Sequence, residues 1–209
     1  MEELWNAITH GIGAVLALAG LVVLVVSASF YGNVWHIVSF SIYGATLLLL
    51  YLASTLYHSF QKEKVKYVFK IIDHSAIYLF IAGTYTPFTL VLLHGVWGWS
   101  IFATIWALAV AGIVFKIFFV KKFKILSTLC YVGMGWFVLI AVKPLIASLP
   151  TVGLYWLVLG GLFYTVGTVF YLWRRLPYHH TVWHLFVMAG SAAHFIVVLL
   201  YVLPVPVAA

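Results

Sequence analysis

Seven apolar runs of about 20 residues each constrain this chain more than any other feature, because that is the length a helix needs to cross a hydrocarbon layer of roughly 30 Å. They fall at approximately 8–29, 34–60, 67–93, 99–119, 123–142, 152–173 and 180–203, joined by short connections with no linker or low-complexity tract. Charged residues make up only 7% of the 209, where a soluble domain carries about a quarter. The short alternating segments of a membrane barrel are absent. The expected fold is therefore all-α: a polytopic seven-transmembrane helix bundle forming one membrane domain over residues 1–209. The opening MEELWNAITHG is acidic, with no small-residue cleavage site after its apolar run, and does not read as a removable signal peptide. A lone cysteine, Cys130, excludes an internal disulfide.

Lysine and arginine orient the bundle. The second connection region holds Lys62, Lys64, Lys66 and Lys70, the fourth Lys116, Lys121, Lys122 and Lys124, and the sixth Arg174 and Arg175. The odd-numbered connections hold only Lys143. By the positive-inside rule the even connections are cytoplasmic, which puts the N-terminus inside and the C-terminus outside. The net charge of +7 is then an orientation signal at an anionic leaflet of the plasma membrane, and nucleic acid is not an expected partner. This orientation is opposite to that of G-protein-coupled receptors. The seventh run also lacks a lysine for a retinal Schiff base.

Placed on this map, the unusual polar residues gather at one end. His58 lies where the second span leaves on the cytoplasmic side, Asp73 one or two turns into the third, and His180 and His184 in the first turns of the seventh. Glu3, Asn6 and His10 precede or begin the first span. Residues four apart on a helix share a face, so His180 and His184 can offer two imidazoles to one ion, and Ser54 sits beside His58 as Asn6 does beside His10. Two histidines from one helix and a third from another make the His₃ set of catalytic zinc, with the fourth position left to water.

The glutamate that follows the first histidine in soluble H-E-x-x-H proteases is here Thr181. A carboxylate must come from elsewhere, and Asp73 is the only aspartate in the chain. Keeping it ionised at mid-helix costs about 2.5–3.5 kcal/mol on insertion scales, less near the interface, and a nearby cation offsets that cost.

Plainer readings stand beside these. Glu3 suits the positive end of the first helix, and Asn6 suits its cap. His36, His94 and His179 read as interfacial. His74 points about 100° away from Asp73 on the helix and is assigned to structure. His194, about 15 Å along the axis from His184, is too far to share an ion and reads as a buried hydrogen-bonding group. Pro87 reads as a kink in the third span. The small residues Gly160, Gly161 and Ala189 to Ala193 read as helix-packing surface.

Four motifs carry a family resemblance: ELWNAITH at 3–10, STLYH at 54–58, DHSAIYLFIAGTYTP at 73–87 and HTVWHLFVMAGSAAHF at 180–195. With these the chain resembles the hemolysin III branch of the progestin and adipoQ receptor superfamily, related to the adiponectin receptors and more distantly to alkaline ceramidases. The resemblance implies a zinc ion held by His58, His180 and His184 near the cytoplasmic face. It also implies an aspartate, Asp73, that reaches the metal through water, with Ser54 close by and the N-terminus inside. Some relatives are credited with zinc-dependent hydrolysis of the ceramide amide bond, and the bacterial branch with pore-like lysis and membrane-lipid homeostasis. Unlike the receptors, this chain has no long soluble N-terminal region, which removes the basis for a protein-hormone ligand.

The leading expectation is a zinc-dependent intramembrane hydrolase acting on a lipid amide or ester, with membrane lipids as partners. Zinc (Zn2+) would sit on the three histidines, Asp73 would serve as base and Ser54 as an oxyanion donor, with Glu3, Asn6 and His10 in support. Two rivals are a pore-forming cytolysin, against which the absence of a polar stripe counts, and a receptor or sensor with structural zinc.

Overall fold

A computed structural model describes residues 1–207. Seven helices of 22 to 30 residues are long and apolar enough to cross a membrane: α1 (Glu2–Tyr31), α2 (Val34–Ser59), α3 (Glu63–Leu92), α4 (Val96–Phe119), α5 (Lys124–Ser148), α6 (Thr151–Leu172) and α7 (His179–Val202). At 1.5 Å per residue they run roughly 33–45 Å. A helix satisfies most of its backbone groups internally, the condition for an open-ended segment in hydrocarbon. No strand occurs among the described residues.

The helices pack as sequence neighbours, α1 on α2, α2 on α3, α3 on α4 and α6 on α7, and α7 returns to α1 to close the bundle. Helix α3 is the central one. It buries 78% of its most apolar window against 17% for α6, which makes it the helix best able to shield a carboxylate from lipid. Glycines permit the closest approaches. A Cβ on Gly160 of α6 would meet the His194 ring of α7 at 2.8 Å, and one on Gly83 of α3 would run into the Thr46 hydroxyl of α2. The small-residue packing role read for Gly160 holds at that position.

Three expectations are refined. Helix α1 starts at Glu2 rather than near residue 8, so Glu3, Asn6 and His10 all lie on it. Met1 takes the N-cap position and Asn6 sits in the second turn, so Asn6 does not cap the helix. Pro87 ends the α-helical part of α3, but the span continues as a π-helical segment, Phe88–Leu92. The hydroxyls of Thr84, Thr86 and Thr89 donate to the carbonyls of Phe80, Ala82 and Tyr85 around this change, at 2.8–3.1 Å.

Helix α5 changes to a 3₁₀ turn at Phe137–Ala141, just after Gly133 and Gly135. There the Tyr85 hydroxyl of α3 lies 2.8 Å from the carbonyls of Met134 and Gly135 and accepts from the Val138 N–H at 2.8 Å. One side chain thus takes up backbone groups that the interrupted helix leaves unpaired.

Candidate metal centre

The first turns of α1 and α7 and the last turn of α2 meet at one end of the bundle, and three histidines converge there. One ring nitrogen each from His58, His180 and His184 lie within 4.8 Å of one another, with His58 and His184 buried. The i, i+4 spacing puts His180 and His184 on one face of α7, and His58 comes from α2. The loop before α7 is tight, with Tyr178 in the left-handed region at φ 55°. That conformation costs about 1–3 kcal/mol in a non-glycine residue and immediately precedes the turn that carries His180.

One nitrogen of His58 and one of His184 have partners. His58 Nδ1 lies 3.1 Å from Glu3 Oε2, and Lys66 Nζ donates to the same oxygen at 2.6 Å. His58 Nε2 is left buried with no hydrogen-bond partner. His184 Nδ1 lies 3.1 Å from the Thr9 hydroxyl. Carboxylate or hydroxyl on one imidazole nitrogen, with the other free, is the outer-shell pattern that fixes ring orientation at metal centres. Three inward imidazoles with an orphaned nitrogen fit zinc, whose sites draw on His₃ sets with Zn–N bonds of about 2.0–2.1 Å.

Each sequence-derived candidate has a place here. Glu3 holds His58. Asn6 is buried and its Oδ1 accepts from the Thr181 hydroxyl at 2.6 Å, tying α1 to α7 between the two α7 histidines. His10 stacks flat on His184, ring centroids 3.4 Å apart at 9°, with both its nitrogens unpartnered. Ser54 is enclosed on α2, one turn before His58. Asp73, buried on α3, stands outside the three-nitrogen group but close enough to act electrostatically on His58 and His180.

His74, read as structural, has polar neighbours at this end of the bundle, and His36, read as interfacial, is buried. His74 Nδ1 lies 3.1 Å from Asp73 Oδ2, and its Nε2 lies 3.4 Å from the Tyr171 hydroxyl of α6. Adjacent positions on a helix diverge at Cβ, yet a flexible ring can fold back over its neighbour. His36 is buried rather than interfacial and closes the capping box of α2 with Asn33. His194 is buried as expected, but it packs face to face with Tyr164 at 5.4 Å and leaves Nδ1 without a partner. Thr9, Thr181, His74 and Tyr171 were not among the candidates. All are polar and belong to the same end of the bundle, a signal available by listing side chains one helical turn from each candidate.

A family described as haemolysin-III related matches residues 1–195. The chain is 56% identical to the hemolysin-3 homolog of Bacillus subtilis (strain 168), covering 98% of this chain and 96% of that protein. It is 54% identical to hemolysin-3 of Bacillus cereus, covering 97% and 93%. The human monocyte to macrophage differentiation factor is 30% identical, covering 93% and 82%.

Proposed function

From the premise that the chain belongs to the haemolysin-III related family, we propose that it is a zinc-dependent intramembrane hydrolase of a lipid amide or ester. The observation that carries this reading is the convergence of His58, His180 and His184 within 4.8 Å, from two helices. Zinc bound there supplies Lewis-acid polarisation of a carbonyl and a water made more acidic.

The chain's own residues supply the rest. Glu3 and Thr9 fix the rings of His58 and His184. Asp73, whose Oδ2 lies 3.1 Å from His74 Nδ1, takes a proton from the attacking water and returns it to the leaving amine or alcohol as the carbonyl carbon's bond to that group breaks. Tyr171 steadies His74 from α6. The Ser54 hydroxyl donates to the oxygen on which charge develops, and Ser54→Ala slows turnover roughly 100-fold or more if it does so. The acyl chain lies in the membrane between helices. By the lysine and arginine distribution the centre faces the cytoplasm from the plasma membrane.

The test is lipid turnover by metal-loaded protein. Wild type should release a fatty acid, and Asp73→Asn should lose that activity while retaining metal. Normal turnover by a metal-loaded Asp73→Asn protein would exclude the mechanism.

A second reading, a lytic protein, is favoured by the name hemolysin-3 borne by the Bacillus cereus relative. It predicts conductance in metal-free liposomes, because a pore has no need of the histidine trio.

A further inference from the structure

A cavity of about 360 Å³ opens beside the trio, with His58 and His180 in its wall. That lies in the range of small-molecule sites, roughly 300–1,000 Å³. Five bases line it from four parts of the chain: Lys70 on α3, Lys116 on α4, Lys121 and Lys124 around the start of α5, and Arg174 after α6. None of the five pairs with a carboxylate among the described residues. Of the four acidic side chains in the chain, Glu2 and Glu3 also stand in the cavity wall: Glu3 meets His58 and Lys66, and Glu2 Oε1 is buried without a hydrogen-bond partner, while Asp73 lies against His74 and Glu63 is outside the lining.

Protein groups hold several of these cations in place without neutralising them. Lys116 is buried and donates to the Ser127 hydroxyl at 2.7 Å. Lys124 donates to the Tyr171 carbonyl at 2.7 Å and lies over that ring. Lys121 lies over the Tyr67 ring. Lys70, Lys124 and Arg174 are near enough to repel one another. Membrane orientation alone needs none of this, because it depends on the number of bases in a connection and not on their convergence. Lys62, Lys64, Lys122 and Arg175 add to the same count without lining the cavity. A mutually repelling set of cations around a concavity, with Lys116 buried, Lys70 and Lys124 half-buried and Lys121 and Arg174 exposed, is an arrangement that an anion relieves.

We propose that this cavity is a vestibule for a phosphate group, and that the phosphate belongs to a lipid headgroup whose acyl carbonyl then meets the histidine trio. The second half rests on the hydrolase reading and deepens it by naming the substrate class: a lipid amide or ester with an anionic headgroup. Binding itself needs no metal.

The test uses the full chain in detergent micelles and follows intrinsic tryptophan fluorescence during titration with dihexanoyl phosphatidic acid, dihexanoyl glycerol or inorganic phosphate. Phosphatidic acid should bind about tenfold or more tighter than the phosphate-free glyceride. A Lys70→Ala/Arg174→Ala double variant should lose that preference, and Lys62→Ala/Lys64→Ala should keep it. A melting curve on each variant separates misfolding from lost binding, and the wild-type comparison of the two lipids stands without any variant.

Equal affinity for the two lipids overturns the proposal, as does equal loss in both double variants. Inorganic phosphate binding as tightly as phosphatidic acid overturns the lipid assignment. Repeating the titration on His184→Ala protein separates the two ideas. Retained preference without metal supports the vestibule whatever the fate of the hydrolase reading, and a metal-loaded protein with no preference sinks the vestibule alone.

Discussion

The two ends of this bundle use histidine in opposite ways. At the far end, His36 closes its own helix's capping box with Asn33, and His94 Nδ1 lies 2.8 Å from the Leu90 carbonyl four residues back. Each of these Nδ1 partners is local, and among the described residues neither ring joins a group that could hold an ion. At the near end, His58, His180 and His184 have partners 55 or more residues away in sequence, or face one another. The local bond at His36 occupies Nδ1 and leaves Nε2 buried without a partner, as Nε2 is at His58. What differs is convergence: His58 meets His180 and His184 within 4.8 Å, and among the described residues neither His36 nor His94 joins such a group.

That contrast can be broken by substitution. The largest effect belongs to Asp73→Asn, expected to slow turnover roughly 100- to 10,000-fold with metal content retained, as measured by lipid product against elemental analysis. Next, Glu3→Gln should weaken metal affinity about 10- to 100-fold through His58, read by competition with a chelator, because outer-shell partners act at that scale. Gly160→Leu should destabilise the α6–α7 contact by about 1–3 kcal/mol, seen as a lower melting temperature, since the added atoms meet the buried His194 ring. The smallest effect is at the far end: His36→Ala should cost about 1 kcal/mol of stability through the α2 cap and leave metal content unchanged. A change in metal content with His36→Ala would erase the distinction between the two ends.

How much of this was legible in the sequence follows from the range of the interactions. Hydropathy runs identified all seven spans because backbone satisfaction in lipid leaves a 20-residue apolar segment one simple solution. The i, i+4 rule paired His180 with His184, and shared depth joined His58 to them. The Asp73–His74–Tyr171 chain was missed because helical projection fixes Cβ directions and not where a two-torsion ring finally lies. Tyr171 arrives from α6, and only the packing of α6 against its neighbours brings its hydroxyl to His74. Similarly, Asn6 reads as a cap when the start of α1 is placed six residues too late, and its bond to Thr181 depends on α7 folding back against α1. The bases were read by number for orientation, and a count carries no information on convergence.

The central claim is that His58, His180 and His184 close around one divalent ion. Elemental analysis of purified wild-type protein beside His184→Ala and His94→Ala tests it most directly. The account predicts about one zinc per chain in wild type and His94→Ala, and less than about a tenth of that in His184→Ala, as a His₃ site losing a ligand requires. Wild-type protein without a divalent ion, or His184→Ala protein that retains its full complement, would contradict it.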